Sequence, residues 1–316
     1  MKWRICLSVG KMDDAFEKMY EKLSEIAIVD VKDLGKHNLS GYDIYIGKKL
    51  SLQMLETADN LKAIFAYKTG VDDFPLKEIY KRNIVLMNSH IDADYIAEYA
   101  FGLATSLVNR ITEFDKKLRK GIWYDTENPY WRSFFEMKVG IVGYGHIGKE
   151  IHRLLQRNNM DVYTIDRGHK YENISAVNSL EDLCDICDIL ILSLPKTEKT
   201  NKIINSDILK RLKNKYIVNV GRSNCIDQKA LYEALKNREI GGVANDTWDH
   251  KPKNITQKLN PSGYDFCGLD NIVLSPHQAM RVANGHKRYV EDTTDKVINY
   301  ILQGKTKDVV DLVRGY

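Results

Sequence analysis

The stretch that decides the fold is KVGIVGYGHIG, Lys138 to Gly148. Its first half is a short apolar run of strand type, and its second half carries Gly143, Gly145 and Gly148 in the spacing G-x-G-x-x-G. A glycine at the first position lets a strand turn tightly. One at the second lets a backbone approach a phosphate, and one at the third lets the next helix pack closely on the sheet. The helix that follows presents Ile147, Ile151, Leu154 and Leu155 on one face. Its N-terminus offers amide groups and a partial positive charge to an anion. A second apolar run, Val162 to Ile165, ends at Asp166, 18 residues after Gly148. An acid there suits the adenosine ribose hydroxyls and disfavours a 2′-phosphate, so NAD is expected over NADP. Arg167 and Lys170 lie beside it and pull the other way. S-adenosylmethionine is a competing ligand for such a turn.

Outward from this stretch, strands and helices alternate. Upstream, strands are expected at Trp3–Leu7, Ile26–Val29, Tyr42–Ile46, Ala63–Phe65 and Ile84–Leu86, with helices at Met12–Lys22, Ser51–Ala58 and Leu76–Lys81. One long helix is expected from about Asp92 to Lys120, closed by Gly121, followed by a looser aromatic stretch from Trp123 to Phe135 that contains Pro129. Downstream, strands are expected at Lys138–Val142, Asp161–Ile165, Asp188–Ser193, Tyr216–Val220, Gly242–Asn245 and Asn271–Leu274. A final amphipathic helix is expected from Gly285 to Leu302, ending near Gly304. Residues 251–270, with two prolines and two glycines, read as a long loop. The pattern predicts an α/β protein of two doubly wound parallel-sheet domains. A Rossmann domain, residues 97–284, is inserted into a flavodoxin-like domain made of residues 1–96 and 285–316.

Three predicted strands end in chemistry. Val220-Gly221-Arg222 closes one, Asp246 another and Pro276-His277 a third. Ligands of open α/β sheets bind at such ends. Arginine grips a carboxylate in a bidentate fork, and histidine moves protons near neutral pH. These residue types suit carbonyl reduction beside a nicotinamide.

At these residues the chain resembles the D-2-hydroxyacid dehydrogenase family over essentially its whole length. The blocks that carry the likeness are the glycine turn, Asp166-Arg167, Leu194-Pro195 with Thr200, Val220 to Arg222, Asp246 and Pro276-His277. Upstream they are Thr69-Gly-Val-Asp72 and Ile96-Ala-Glu98. The resemblance implies that Arg222 binds the substrate carboxylate and that His277 is the proton donor in reduction. Gly70 and Val71 would hold the carboxylate through their amides, with Lys68 beside them. Gly143, Tyr144, Gly145, His146, Ile147 and Gly148 would hold the pyrophosphate. Asp166 and Arg167 would meet the adenosine ribose, and Leu194, Pro195, Thr200, Val220, Gly221 and Asp246 would line the rest of the NAD site. The expected activity is hydride transfer between NAD(H) and a small 2-keto or 2-hydroxy acid, in a homodimer formed through the cofactor domain.

Two positions depart from the family. Five residues after the strand-end Asp246, where family members usually carry a glutamate that pairs with the histidine, stands Lys251. A cation there would depress the histidine's pKa. Asp249 and His250 are the nearby candidates for a substitute partner. Met280 stands where a glycine is usual. An NAD(H)-binding sensor without turnover is the alternative that Lys251 favours.

Bulk properties exclude other classes. Net charge is +4 from 47 basic and 43 acidic residues, too small and too dispersed for a nucleic-acid surface. No run of 18 apolar residues exists, so no membrane span is expected. Five cysteines, with no signal peptide expected, fit a reducing cytoplasm. Cys184-x-x-Cys187 is read as core packing rather than a metal or redox pair, and Cys225 as a neutral filler.

Overall fold

The computed structural model describes residues 2–35, 37–124, 130–168, 173–254 and 256–316. Lys170 and Pro129 lie outside the described residues. The chain divides into two compact units, Met1–Asp92 with Val282–Tyr316, and Ala93–Arg281.

Unit 1 contains β1 (Trp3–Ser8), β2 (Ala27–Lys32), β3 (Ile44–Ile46), β4 (Ala63–Phe65) and β5 (Val85–Met87), all parallel, in the order β2-β1-β3-β4-β5. This is the flavodoxin-like order. Helix Asp14–Ile26 is capped by Asp13, whose carboxylate accepts from the Ala15 and Phe16 amides, and it buries Phe16, Met19 and Leu23 on one stripe. Helix Gly285–Gln303 returns to this unit, and Gly304 ends it in the left-handed region at φ 64°. The chain then lays Val309 against Met87 in an antiparallel bridge.

Unit 2 contains β6 (Val139–Val142), β7 (Val162–Ile165), β8 (Ser175–Val177), β9 (Ile189–Leu192), β10 (Tyr216–Asn219), β11 (Gly242–Asn245) and β12 (Ile272–Leu274). Their order is β12-β11-β10-β9-β6-β7-β8, all parallel. The strand order reverses beside β6, the switch point where doubly wound sheets take their ligands. The sheet is covered on both faces, which explains its near-continuous apolar strands. In β9, Leu190 and Leu192 join the cluster around Leu183, Leu231 and Trp248. Ile189 and Ile191 join the opposite cluster with Ala100, Ala104 and Ile151.

Two details differ from the sequence expectation. The long helix is two: Ala93–Val108 and Ile111–Leu118, broken where Arg110 turns left-handed at φ 57°. The Arg110 guanidinium clasps Glu113 in the next turn at 2.6 and 2.7 Å, which holds the break. The Rossmann sheet has a seventh strand, β8, a short and largely exposed edge strand without apolar alternation strong enough to read. Residues 251–270, expected as a long loop, hold among the described residues only one short 3₁₀ turn, Phe266–Gly268.

Candidate active site

The glycine turn is built as its spacing demands. Gly143 sits at φ 103°, a conformation side chains resist, and its carbonyl accepts from Ser193 Oγ at 2.6 Å. A Cβ on Gly148 would lie 2.2 Å from the Gly143 oxygen, so only glycine lets helix His146–Gln156 come this close. At Gly145 a Cβ would meet no atom of the described residues within 4 Å. Gly145 is the N-cap of that helix, and among the described residues no side chain caps it, so the first turn leaves backbone amides for an outside acceptor. This cradle fits the pyrophosphate of a dinucleotide. Tyr144 is pinned within the turn, its hydroxyl 2.7 Å from His152 Nδ1, while His152 Nε2 lies 3.0 Å from the Asn173 carbonyl. Asp166 is exposed at the end of β7 and accepts from the Gly168 amide at 2.8 Å. Leu194 and Val220 are buried, and Thr200 Oγ closes the loop after β9 on the Pro195 carbonyl at 2.7 Å.

Arg222 follows β10. Buried Asn219 shapes its turn: its side-chain carbonyl accepts from the Gly221 amide at 3.0 Å, and its amide donates to Thr247 Oγ1 at 3.0 Å. Arg222 itself is half-buried and donates to the Gly221 carbonyl at 3.0 Å.

His277 follows β12 in the left-handed region, φ 59°. A non-glycine residue there costs about 1 kcal/mol and persists only where its surroundings hold it. Asp246 does the holding. One carboxylate oxygen accepts from Ser275 Oγ, in a very short contact, and from the Gln278 amide at 2.8 Å; the other accepts from the Ala279 amide at 3.1 Å. Tyr99 Oη lies 2.8 Å from Ser275 Oγ, and Trp248 Nε1 donates to the Ser275 carbonyl at 2.9 Å. Trp248 thus anchors the histidine turn. Asp246, 2% exposed, spends both carboxylate oxygens on that turn.

The electrostatics around His277 are lopsided. Burial lowers its pKa below the ordinary 6.5, Lys251 lowers it further, Asp246 opposes, and Arg222 and Arg281 add to the depression. Its Nδ1 is buried without a hydrogen-bond partner among the described residues. His250 turns its ring to the Asn260 carbonyl at 3.2 Å, and Asp249 is exposed and absent from the charges acting on His277. Arg222 and His277 therefore share one electrostatic neighbourhood, with Lys251 and Arg281 as further cations acting on the ring.

In unit 1, Gly70 is half-buried and Val71 is buried in the loop after β4. Lys68 pairs with Asp73 at 2.5 Å, which offsets the charge it was expected to offer a substrate. Burial pushes the Cys184 and Cys187 thiols up to about 12, unsuited to metal or redox work. No helix among the described residues is long and apolar enough to cross a membrane.

A glycine-cradled helix N-terminus at the switch point, with arginine and histidine at neighbouring strand ends, defines a nicotinamide-dinucleotide oxidoreductase. Residues 101–279 match the family described as D-isomer specific 2-hydroxyacid dehydrogenase, NAD binding domain. The chain is 30% identical over 253 residues to a glyoxylate reductase of Thermofilum pendens, covering 77% of this chain and 73% of that one. It is 29% identical over 295 residues to a 2-ketogluconate reductase of Gluconobacter oxydans, covering 92% of each. A solved structure from Pyrococcus horikoshii superposes with a TM-score of 0.84 at 28% identity, over 98% of this chain and 96% of that one. The chain belongs to the D-isomer specific 2-hydroxyacid dehydrogenase family, and its cofactor is a nicotinamide dinucleotide.

Proposed function

We propose that this protein reduces a small 2-keto acid to the 2-hydroxy acid, with Arg222 and His277 as its catalytic residues. The observation that carries the reading is the shared neighbourhood of Arg222 and His277 at adjoining strand ends, β10 and β12 flanking β11 in one sheet. The dinucleotide supplies or accepts the hydride when bound. Arg222 holds the carboxylate of the substrate and polarises its carbonyl. His277 gives a proton to the carbonyl oxygen in reduction and takes it back in oxidation. The amides of Gly70 and Val71 bind the same carboxylate. Asp246, through Ser275, Gln278 and Ala279, keeps the imidazole in its left-handed turn. NADH is favoured over NADPH because Asp166 stands at the end of β7, where a 2′-phosphate would meet a carboxylate.

The depressed pKa of His277 makes the neutral ring dominant near neutral pH. The neutral ring is the proton acceptor that oxidation needs, and only the smaller protonated fraction can donate in reduction. Reduction by this chain should therefore be an acid-side activity. The same feature supports a second reading, an NAD(H)-binding sensor with little turnover. His277→Ala separates the two, with NADH oxidation followed across a panel of 2-keto acids alongside an NADH titration. On the enzymatic reading the variant loses turnover by at least ~10²-fold and keeps NADH affinity within about twofold. Turnover that survives the substitution removes the histidine from the mechanism, and a wild type that binds NADH yet turns over no substrate makes the protein a sensor.

The working form is proposed to be a cytoplasmic homodimer. Trp123, Tyr124, Tyr130 and Trp131 are all exposed on unit 2, large apolar side chains that a second copy of the chain would cover. Sedimentation at the mass of one chain would remove the dimer from the proposal.

A further inference from the structure

Behind the loop Lys68–Val71, unit 1 buries an ion cluster that the chemistry above does not use. Lys296, on helix Gly285–Gln303, is 5% exposed. Its ammonium has three protons and three acceptors: the carboxylates of Asp292 at 2.6 Å and Asp308 at 2.7 Å, and the backbone carbonyl of Asn88 at 2.8 Å. Asp292 takes a further hydrogen bond from Ser89 Oγ at 2.5 Å. The Asn88 amide donates to the Asp308 carbonyl at 3.2 Å.

From Asn88 and Ser89, just past β5, the network passes to the loop. Asn88 Nδ2 donates to the Thr69 carbonyl at 2.6 Å, and the Ser89 amide donates to the Lys68 carbonyl at 3.2 Å. Thr69 Oγ1 lies within hydrogen-bond distance of the Ser89 carbonyl, Asp92 Oδ1 and Tyr289 Oη, at 2.9, 2.9 and 2.8 Å. Tyr289 and Lys296 sit on the same helix, so Lys68–Thr69 is held by helix Gly285–Gln303 both directly and by way of Asn88–Ser89.

Stability alone is a weak reason for such a cluster. Burying ions carries a desolvation penalty, and well-packed apolar replacements of buried ion pairs are often neutral or stabilising. An apolar side chain would not, however, bridge the Asn88 carbonyl to two carboxylates, and so would leave the loop's support unset.

We propose that Lys296 is a positioning residue for substrate recognition, fixing Asn88–Ser89 and through them the main chain that carries the Gly70 and Val71 amides. This rests on the reading that those amides bind the substrate carboxylate. The test is Lys296→Met, with a second variant, Lys296→Met/Asp292→Asn/Asp308→Asn, that removes the uncompensated charges should the single change fail to fold. Steady-state kinetics, an NADH titration, and hydrogen exchange of the segment Thr69–Val71 are measured on each. The expected result is a KM for the 2-keto acid raised by about tenfold with kcat within about twofold, and NADH affinity unchanged. Exchange of Thr69–Val71 should quicken by about tenfold. Faster exchange with an unaltered KM would uphold Lys296 as the support of the loop and remove those amides from substrate binding, a failure of the underlying reading. Exchange and KM both unaltered, even with a lowered melting temperature, would overturn the inference and leave the roles of Arg222 and His277 standing.

Discussion

Two glycines three residues apart should fail in opposite ways when given a methyl group. In Gly148→Ala the new Cβ is 2.2 Å from the Gly143 carbonyl oxygen, 3.1 Å from its carbon and 3.2 Å from Ile141 Cγ2. The first is about 1 Å inside ordinary contact, and a backbone atom cannot swing aside, so helix His146–Gln156 must shift. Overpacking of this kind costs roughly 1–3 kcal/mol, and the backbone clash argues for the upper end. For a unit the size of Ala93–Arg281, about 3 kcal/mol corresponds to a melting temperature lower by about 6–12 °C. In Gly145→Ala the Cβ meets nothing within 4 Å, and φ of −86° is ordinary for alanine, so the melting temperature should hold within about 2 °C. The methyl instead stands where the pyrophosphate approaches. A loss of about 2 kcal/mol there weakens NADH about 30-fold. Thermal melting without cofactor and fluorescence titration of NADH measure both. Gly145→Ala with wild-type affinity would refute the phosphate's place over this turn, and a thermally silent Gly148→Ala would refute the packing argument.

Other outcomes follow from the histidine's surroundings. His277 must carry a proton to reduce a keto acid, and its folded pKa lies below 6.5, so reductive kcat/KM should fall as pH rises through that lowered value, while oxidation, which needs the neutral ring, persists to lower pH. Lys251→Glu replaces a neighbouring cation by an anion and should move the reductive limb up by about one pH unit or more; a pH–rate profile that stays put would show that Lys251 does not govern the ring. Asp246→Ala leaves the Gln278 and Ala279 amides without their acceptor, at about 1–3 kcal/mol each, and frees the His277 turn. Its kcat/KM should drop by at least ~10²-fold alongside a lower melting temperature, and wild-type kinetics in that variant would deny Asp246 any part in placing the ring.

The strands that bury both faces were legible as elements, two of them to the residue. Ala63–Phe65 and Gly242–Asn245 carry short apolar or small-residue runs bounded by polar or turn-forming residues, and helix Leu76–Lys81 has the same bounds in sequence and structure. β8 was not legible because Ser175–Val177 is a short, largely exposed edge strand with little to bury, so it leaves almost no hydrophobic imprint. The break at Arg110 was not legible either, since a left-handed arginine leaves no mark on apolar periodicity. Arg222, Asp246 and His277 stood out because strand ends are where such sheets place chemistry. Their supports did not. Ser275 meets Tyr99 across 176 residues and Ser89 meets Asp292 across 203, and side chains joined over such separations have no local pattern to announce them.

The interrupted make-up of unit 1 has a consequence for biosynthesis. Ala93–Arg281 is one continuous stretch and can collapse as soon as it has left the ribosome, whereas unit 1, whose strands all lie before it, is completed only once Tyr289, Lys296 and Val309 have been translated. The nucleotide-binding half is thereby ready first, and the loop at Lys68–Val71 acquires its supports last. Substitutions at Lys296 or Asp308 should accordingly lengthen the interval in which newly made chains have a finished second unit and an unfinished first, a transient species recognisable as an early, protease-sensitive N-terminal segment beside a resistant core.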